Sequence, residues 1–166
     1  MNDIANVSGL SKGAIYHHYI SKRELFLSLI DYWEENCFPN ILDKKYSNQT
    51  ASGILREIVK DIIQTFKKKK YVFLAELEIW SLSNHDKTIR NRTKKMYYDL
   101  ITLFSTIIQN GIEKGEFKNL NINIAALSIM TSIQGVIWFS IFEKSDISAE
   151  EYITEVMEFI IIGFKK

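Results

Sequence analysis

Apolar residues recur every three or four positions along almost the whole chain, and no segment alternates between apolar and polar residues as a strand would. This spacing predicts an all-α fold. Pro39 is the only proline among 166 residues, which favours long, uninterrupted helices. Polar stretches with helix-capping residues divide the pattern into short N-terminal helices followed by a longer helical body.

The boundaries of the predicted helices come from caps and breakers. Ser21 with Glu24, and Ser148 with Glu151, have the spacing of capping boxes, and Gly115 is placed to end a long helix. The predicted helices cover residues 2–8, 12–19, 22–38, 51–70, 71–82, 86–114, 121–142 and 149–164. The lysines at 67–70 fit a solvated helix end, with a phosphate or partner contact as the alternative.

No charged residue occurs from 119 to 142, a length that raises the possibility of a membrane span. Eight asparagine, serine, threonine and glutamine side chains make the segment too polar for lipid, so we expect no membrane contact and a helix buried on every side. The last helix is apolar around most of its circumference. The last two helices are therefore predicted to form a homodimer interface, through Ile133, Ile137, Tyr152, Val156, Phe159 and Ile160.

The first 20 residues have the spacing of a helix-turn-helix. Ala5 is the small residue that allows two helices to cross closely, Gly9 suits a turn with positive φ, and Ser11 can cap the second helix. Four apolar side chains are predicted to fill the gap between the two helices: Ile4, Val7, Leu10 and Ile15. Such a unit presents its second helix to the major groove of DNA.

Charge and cysteine content restrict the remaining possibilities. The net charge is +1, with +2 on the first 23 residues and −1 on the remainder, which favours an anionic partner for the N-terminal region. Cys37 is the only cysteine, which excludes an internal disulfide and a cysteine metal cluster and suits a reducing cytoplasm. We find no secretory signal pattern, phosphate loop or nucleophile motif, so we expect a non-enzymatic cytoplasmic protein without a cofactor or metal site.

The string IANVSGLSKGAIYHHYISKRELF resembles the N-terminal signature of the tetracycline-repressor (TetR) family of bacterial transcription regulators. The matching elements are Ile4-Ala5, Gly9-Leu10-Ser11, Gly13, the aromatic–histidine cluster at 16–19 and the Ser21-Lys22 pair with Leu25. Tyr19 replaces the usual phenylalanine. The later string IIQNGIEKGEF also resembles the end of a long helix in this family.

The resemblance implies a partial helix-turn-helix DNA-binding region at residues 1–27 and a ligand-binding and dimerisation domain at 28–166. Tyr16, His18 and Lys22 would hold phosphates of double-stranded operator DNA, and the major groove would meet the exposed side of the second helix. The implied DNA-binding residues are Ser11, Lys12, Gly13, Ala14, Tyr16, His17, His18 and Lys22.

The resemblance also implies a repressor that a small apolar or amphipathic effector releases from its operator. The pocket candidates are Trp80, Tyr97, Phe104, Gln134 and Trp138, although each also fits an ordinary core position. Glu76 and Glu78 are expected to be exposed, but either carboxylate, if buried, would favour a cationic effector.

The family pattern places one more helix ahead of the motif, and Met1 is already the first residue of the motif here. We therefore expect upstream residues to be missing from the sequence. The alternative function is a helical, dimeric small-molecule-binding protein that no longer binds DNA because that first helix is absent.

Overall fold

The computed structural model describes residues 1–37, 49–141 and 146–166. These residues form helices and connecting loops, and the part of the chain described contains no strand, as the helical periodicity predicts. The elements in chain order are α1 Asn2–Ser8, α2 Lys12–His18, α3 Lys22–Cys37, α4 Ala51–Ser83, α5 Lys87–Glu113, α6 Ile122–Gln134, a 3₁₀ turn Gly135–Ile137, α7 Trp138–Ile141 and α8 Ala149–Phe164.

The caps predicted for the end of α1 and for the starts of α2 and α3 are present, and the predicted end of α3 at residue 38 lies outside the described residues. Gly9 has φ 69° and ends α1 in the left-handed conformation, and the Ser11 hydroxyl accepts from the Ala14 amide at 3.0 Å. The Ser21 hydroxyl accepts from the Glu24 amide at 3.1 Å, as a capping box requires. The Glu24 carboxylate, however, accepts a hydrogen bond of 2.6 Å from the amide of Ile20, the residue before the cap, rather than from the amide of the cap itself.

The lysines at 67–70 mark a break within α4. The two helices predicted for residues 51–70 and 71–82 meet there at a kink, where the backbone of Lys69 is not helical (φ −140°, ψ 47°). Ile62 before this kink and Phe73 after it are both buried in the same core. The apolar face therefore continues from one side of the kink to the other, and both parts of α4 pack against the same core.

The helix predicted from residue 121 is interrupted after Gln134, and its predicted end at 142 lies outside the described residues. A Cβ added to Gly135 would stand 2.3 Å from the Tyr152 hydroxyl oxygen. Tyr152 belongs to α8, and its hydroxyl donates to the Ser132 carbonyl at 3.2 Å. The glycine therefore lets the α8 tyrosine approach the backbone at the point where α6 gives way to the 3₁₀ turn.

The core lies between α4, α5, α6 and α8, with Phe73, Phe104 and Phe117 among its fully buried side chains. The charge-free helix is only partly inside this core. Ile124 is 63% exposed and Leu127 is 41% exposed, so the single chain by itself does not bury this helix on every side. None of the described helices is both long and apolar enough to cross a membrane.

Candidate functional site

Helix α2 presents the residues that the family resemblance assigns to DNA. Ser11, Lys12, Gly13, Tyr16, His17 and His18 are all exposed, as is Lys22 at the start of α3. Ala14 is half-buried, and Ile15 is 4% exposed because it anchors α2 to the rest of the head. Seven of the eight assigned residues are therefore accessible to a large partner.

The apolar side chains of the head are less enclosed than the sequence predicts. Ile15 is buried and Ile4 is half-buried, but Val7 is 90% exposed and Leu10 is 52% exposed. The prediction that Val7 and Leu10 fill the gap between α1 and α2 is therefore wrong for this structure. No described element covers that side of α1, which contains no buried residue.

Helix α3 connects the head to the body and continues across the predicted boundary between residues 27 and 28. Three ion pairs tie α3 to the N-terminal part of α5. Arg23 Nε lies 2.9 Å from Asp86 Oδ2, and Arg92 Nη2 lies 2.8 Å from Asp31 Oδ1 and 2.6 Å from Glu34 Oε2. Asp86 also accepts from the amides of Ile89 and Thr88, and these bonds, together with Arg23, lower the pKa of its carboxyl group. The start of α5 therefore positions the helix that carries the head.

A cavity of about 510 Å³ opens between α4, α5, α6 and the segment that follows α6. Four of the five predicted pocket residues, Trp80, Tyr97, Gln134 and Trp138, lie in its wall. The remaining wall residues are Leu77, Met130, Thr131, Gly135 and Ile137. The fifth predicted residue, Phe104, lines a smaller neighbouring cavity of about 20 Å³, whose wall also contains Gln134.

Glu76 lies in the wall of the smaller cavity and is only 5% exposed. Its Oε1 atom accepts from Trp80 Nε1 at 3.1 Å and from Gln134 Nε2 at 3.4 Å. Burial raises the pKa of the Glu76 carboxyl to about 7, although the two hydrogen bonds act in the opposite direction.

The expectation that Glu76 is exposed is wrong, whereas Glu78 is exposed as expected. Glu76 lies three residues after the buried Phe73 and three before the buried Ile79, and this i, i+3 register is the sequence signal that could have revealed its burial.

The residues predicted for the dimer interface fall into two groups. Ile133 and Ile137 are 5% and 6% exposed, so their side chains belong to the core of the single chain and leave little surface for a partner. Phe159 is 66% exposed, while Tyr152, Val156 and Ile160 are half-buried. Further apolar side chains are exposed on the same two helices: Ile124 and Leu127 on α6, and Ile162 on α8.

Comparison with known proteins gives consistent results for the head and for the whole fold. Residues 1–29 match the family model described as bacterial regulatory proteins, tetR family. The chain is 26% identical over 164 residues to an uncharacterised helix-turn-helix-type transcriptional regulator, YfiR, of Bacillus subtilis, covering 89% of this chain and 74% of the relative.

Two solved structures of similar fold illustrate the likeness of the body. The TetR-family regulator PfmR from Thermus thermophilus has a TM-score of 0.78 at 21% identity, with 99% of this chain and 88% of PfmR covered. A regulator from Saccharomonospora viridis, solved in complex with choline, has a TM-score of 0.79 at 18% identity, with 99% and 86% covered.

A helix-turn-helix with an exposed second helix, joined to an all-α body, defines the class of helical transcriptional regulators. Within that class, the chain resembles the TetR family: residues 1–29 match its family model, and the described fold is that of solved TetR-family structures.

Proposed function

We propose that this protein is a ligand-responsive repressor, which binds operator DNA through α2 and is released when a small amphipathic molecule occupies the 510 Å³ cavity. The observation that carries this proposal is the double role of α5. Its Tyr97 lines the cavity, and Asp86 and Arg92 at its start hold α3 through ion pairs. A ligand that moves α5 would therefore move the helix that supports the head.

The exposed side of α2 supports the DNA-binding part of the proposal. Gly13 and Ala14 are small enough for close approach to base edges, while Tyr16 and His17 offer hydrogen-bonding groups there. His18 and Lys22 would contact phosphates, which fix the position of the protein on the duplex without selecting a sequence.

A homodimer would place two heads on one DNA face. The exposed apolar side chains of α6 and α8 are the surface that we assign to this contact, since an apolar face of this kind is costly to leave in water. Two copies of α2 must then reach successive major grooves, about 34–36 Å apart. Effector binding would lower DNA affinity if the ligand-bound protein favours a different separation of the heads.

Gel-shift titration with the DNA upstream of the protein's own gene tests this function. Wild type should shift the fragment, and the double variant Tyr16→Ala/His17→Ala should not, while Gln64→Ala, an exposed change on α4, should bind as wild type does. Thermal-shift screening of small amphipathic compounds tests whether the protein responds to a ligand. A compound that raises the melting temperature should also release the DNA.

A different result would favour the ligand-binding protein that is silent towards DNA. That protein would bind compounds in the cavity but leave every DNA fragment unshifted. The exposure of Val7 and Leu10 in the head is the observation that supports this second function.

A further inference from the structure

We infer that the cavity selects an organic cation, with a positively charged head beside Glu76 and an apolar body in the 510 Å³ space. The inference rests on the proposed ligand-responsive function and names the chemical class of its effector.

Within the described part of the chain, Glu76 has hydrogen-bond donors but no cationic partner. Its two partners, Trp80 and Gln134, are neutral, and no lysine or arginine among the described residues pairs with it. A carboxylate buried away from water is unfavourable unless a positive group compensates it. A bound cation would supply that group, and an anionic ligand would add repulsion.

A purely structural role does not require a carboxylate at this position. Trp80 and Gln134 both donate to a single oxygen atom, Oε1. The carbonyl oxygen of a glutamine could accept the same two bonds without any charge. The negative charge of Glu76 is therefore not needed to hold the side chains of Trp80 and Gln134 in place. It is needed, however, for the recognition of a cation.

The wall of the larger cavity fits the rest of such a ligand. Trp80, Tyr97 and Trp138 contribute aromatic surface, which attracts ammonium groups through the negative potential of the ring faces. Leu77, together with other aliphatic residues of the wall, offers contact for a hydrocarbon body. A volume of about 510 Å³ lies within the usual range for sites that bind drug-sized molecules.

Gln134 connects the two parts of this site. Its side chain lies in the walls of both cavities, as do Met130 and Ile137. Its bond to Glu76, at 3.4 Å, is longer than the 3.1 Å bond from Trp80. The Gln134 amide is therefore the group that an entering cation would displace, which brings the positive charge next to the carboxylate while Trp80 keeps its own bond.

The test compares two compounds of nearly equal shape. One is para-(trimethylammonio)benzyl alcohol, and the other is para-tert-butylbenzyl alcohol, in which carbon replaces the charged nitrogen. Isothermal titration of the purified chain should give a dissociation constant at least about tenfold lower for the ammonium compound, corresponding to about 1.4 kcal/mol. Glu76→Gln should reduce this preference to less than about twofold and leave the binding of the uncharged compound unchanged. Glu78→Gln, on the exposed side of α4, should keep the preference.

Equal binding of the two compounds by wild type would overturn the inference, as would failure of both to bind or a preference that survives Glu76→Gln. The wild-type comparison needs no variant and therefore stands even if a variant folds poorly.

The gel-shift assay separates this inference from the proposed function. If an uncharged compound releases DNA and the ammonium compound does not, the repressor function stands and the cation class is wrong. If the ammonium compound binds through Glu76 without affecting DNA, the cation site stands and the ligand-responsive function is wrong.

Discussion

Among the described residues, the Glu76 carboxylate gives the interior of this protein a titratable group. In the folded chain its pKa lies at about 7, compared with an ordinary value of 4.5, because burial disfavours the charged form. A raised carboxyl pKa means that the unfolded chain binds fewer protons than the folded chain between these two values. The free energy of unfolding therefore falls as pH rises from about 4.5 to about 7.

Replacing Glu76 by glutamine should remove this dependence. From pH 5 to pH 8 the stability advantage of Glu76→Gln over wild type should grow by on the order of 2–3 kcal/mol, since each unit of pKa shift corresponds to about 1.4 kcal/mol. Urea denaturation at several pH values measures the free energy of unfolding of both proteins. Glu78→Gln, on the same helix but exposed, should show no such growth. Parallel curves for wild type and Glu76→Gln would mean that the carboxylate is not buried in solution.

The same carboxylate should make cation binding depend on pH. An ammonium ligand prefers ionised Glu76, so its affinity should rise as pH increases towards about 7 and level off above it. Tyr97 is the other titratable side chain among the described residues that line the two cavities. Titration calorimetry at pH 6 and pH 8 measures the change, and Glu76→Gln should give the same weak affinity at both. An affinity that falls with rising pH would contradict the assignment.

Lys22 allows a separate test in the head. Its side chain is exposed at the first turn of α3, with Nζ 5.5 Å from the centre of the Phe26 ring. If Lys22 contacts a phosphate, Lys22→Ala should weaken binding to all DNA sequences and reduce the slope of log affinity against log salt by about one per protomer. Lys60→Ala, an exposed change on α4, controls for general loss of positive charge. An unchanged slope in Lys22→Ala would exclude the phosphate contact.

At the scale of elements, two glycines allow an aromatic side chain from another part of the chain to pack directly against a helix backbone. Gly135 admits Tyr152, and Gly111 admits the ring of Phe117 where the chain folds back after α5. Phe117 is fully buried and packs edge-on against Phe164 of α8 at 5.7 Å between ring centres. The Glu116 carboxylate accepts from the Ala51 amide at 2.7 Å and the Ser52 amide at 3.0 Å, which caps α4. The end of α5 therefore joins the beginning of α4 and the end of α8.

Substitution at Gly111 should disturb this junction. A Cβ there would lie 2.4 Å from Cδ2 of Phe117 and 2.9 Å from Cβ of Ala51, and neither neighbour has room to move in a packed core. Gly111→Ala should lower the free energy of unfolding by about 1–3 kcal/mol, although alanine is the better helix former. Asn110→Ala, at the adjacent exposed position of α5, should be neutral or slightly stabilising. Thermal melts of both variants measure the difference, and a Gly111→Ala variant as stable as wild type would show that the turn can open at no cost.

At the scale of the whole molecule, the exposed apolar residues of α6 and α8 place the proposed contact between two chains. Ile133 and Ile137 are used inside the protomer, whereas Ile124, Phe159 and Ile162 are each more than 60% exposed. A charge at the centre of such a contact would have to be buried without a partner, which is unfavourable. The proposed interface can therefore be broken without disturbing the core.

Phe159→Glu should convert the dimer to a monomer, and analytical ultracentrifugation at micromolar concentration measures the mass. Gln64→Glu makes a similar exposed change on α4, which is not part of the proposed contact, and should leave the dimer intact. The melting curve of Phe159→Glu should still show a cooperative transition, because the replaced ring is 66% exposed in the single chain. A monomeric wild type, or a Phe159→Glu variant that stays dimeric, would rule out this interface.

Local sequence determined the features that depend on neighbours along the chain. Helical spacing, the Ser11, Ser21 and Ser148 caps and the left-handed Gly9 turn all follow from interactions within a few residues. The helix-turn-helix could be recognised for the same reason, since its spacing is contained in one short segment. Four of the five pocket candidates also line one cavity, because large residues on facing helices tend to meet in the interior.

Only the tertiary structure decided how each helix face is used. It buried Glu76 beside Trp80 and assigned Ile133 and Ile137 to the core rather than to a partner. These outcomes depend on contacts between residues such as Glu76 and Gln134, which are 58 positions apart. Periodicity indicates that a helix has an apolar face, but the free energy of burying it depends on which other faces the fold brings against it.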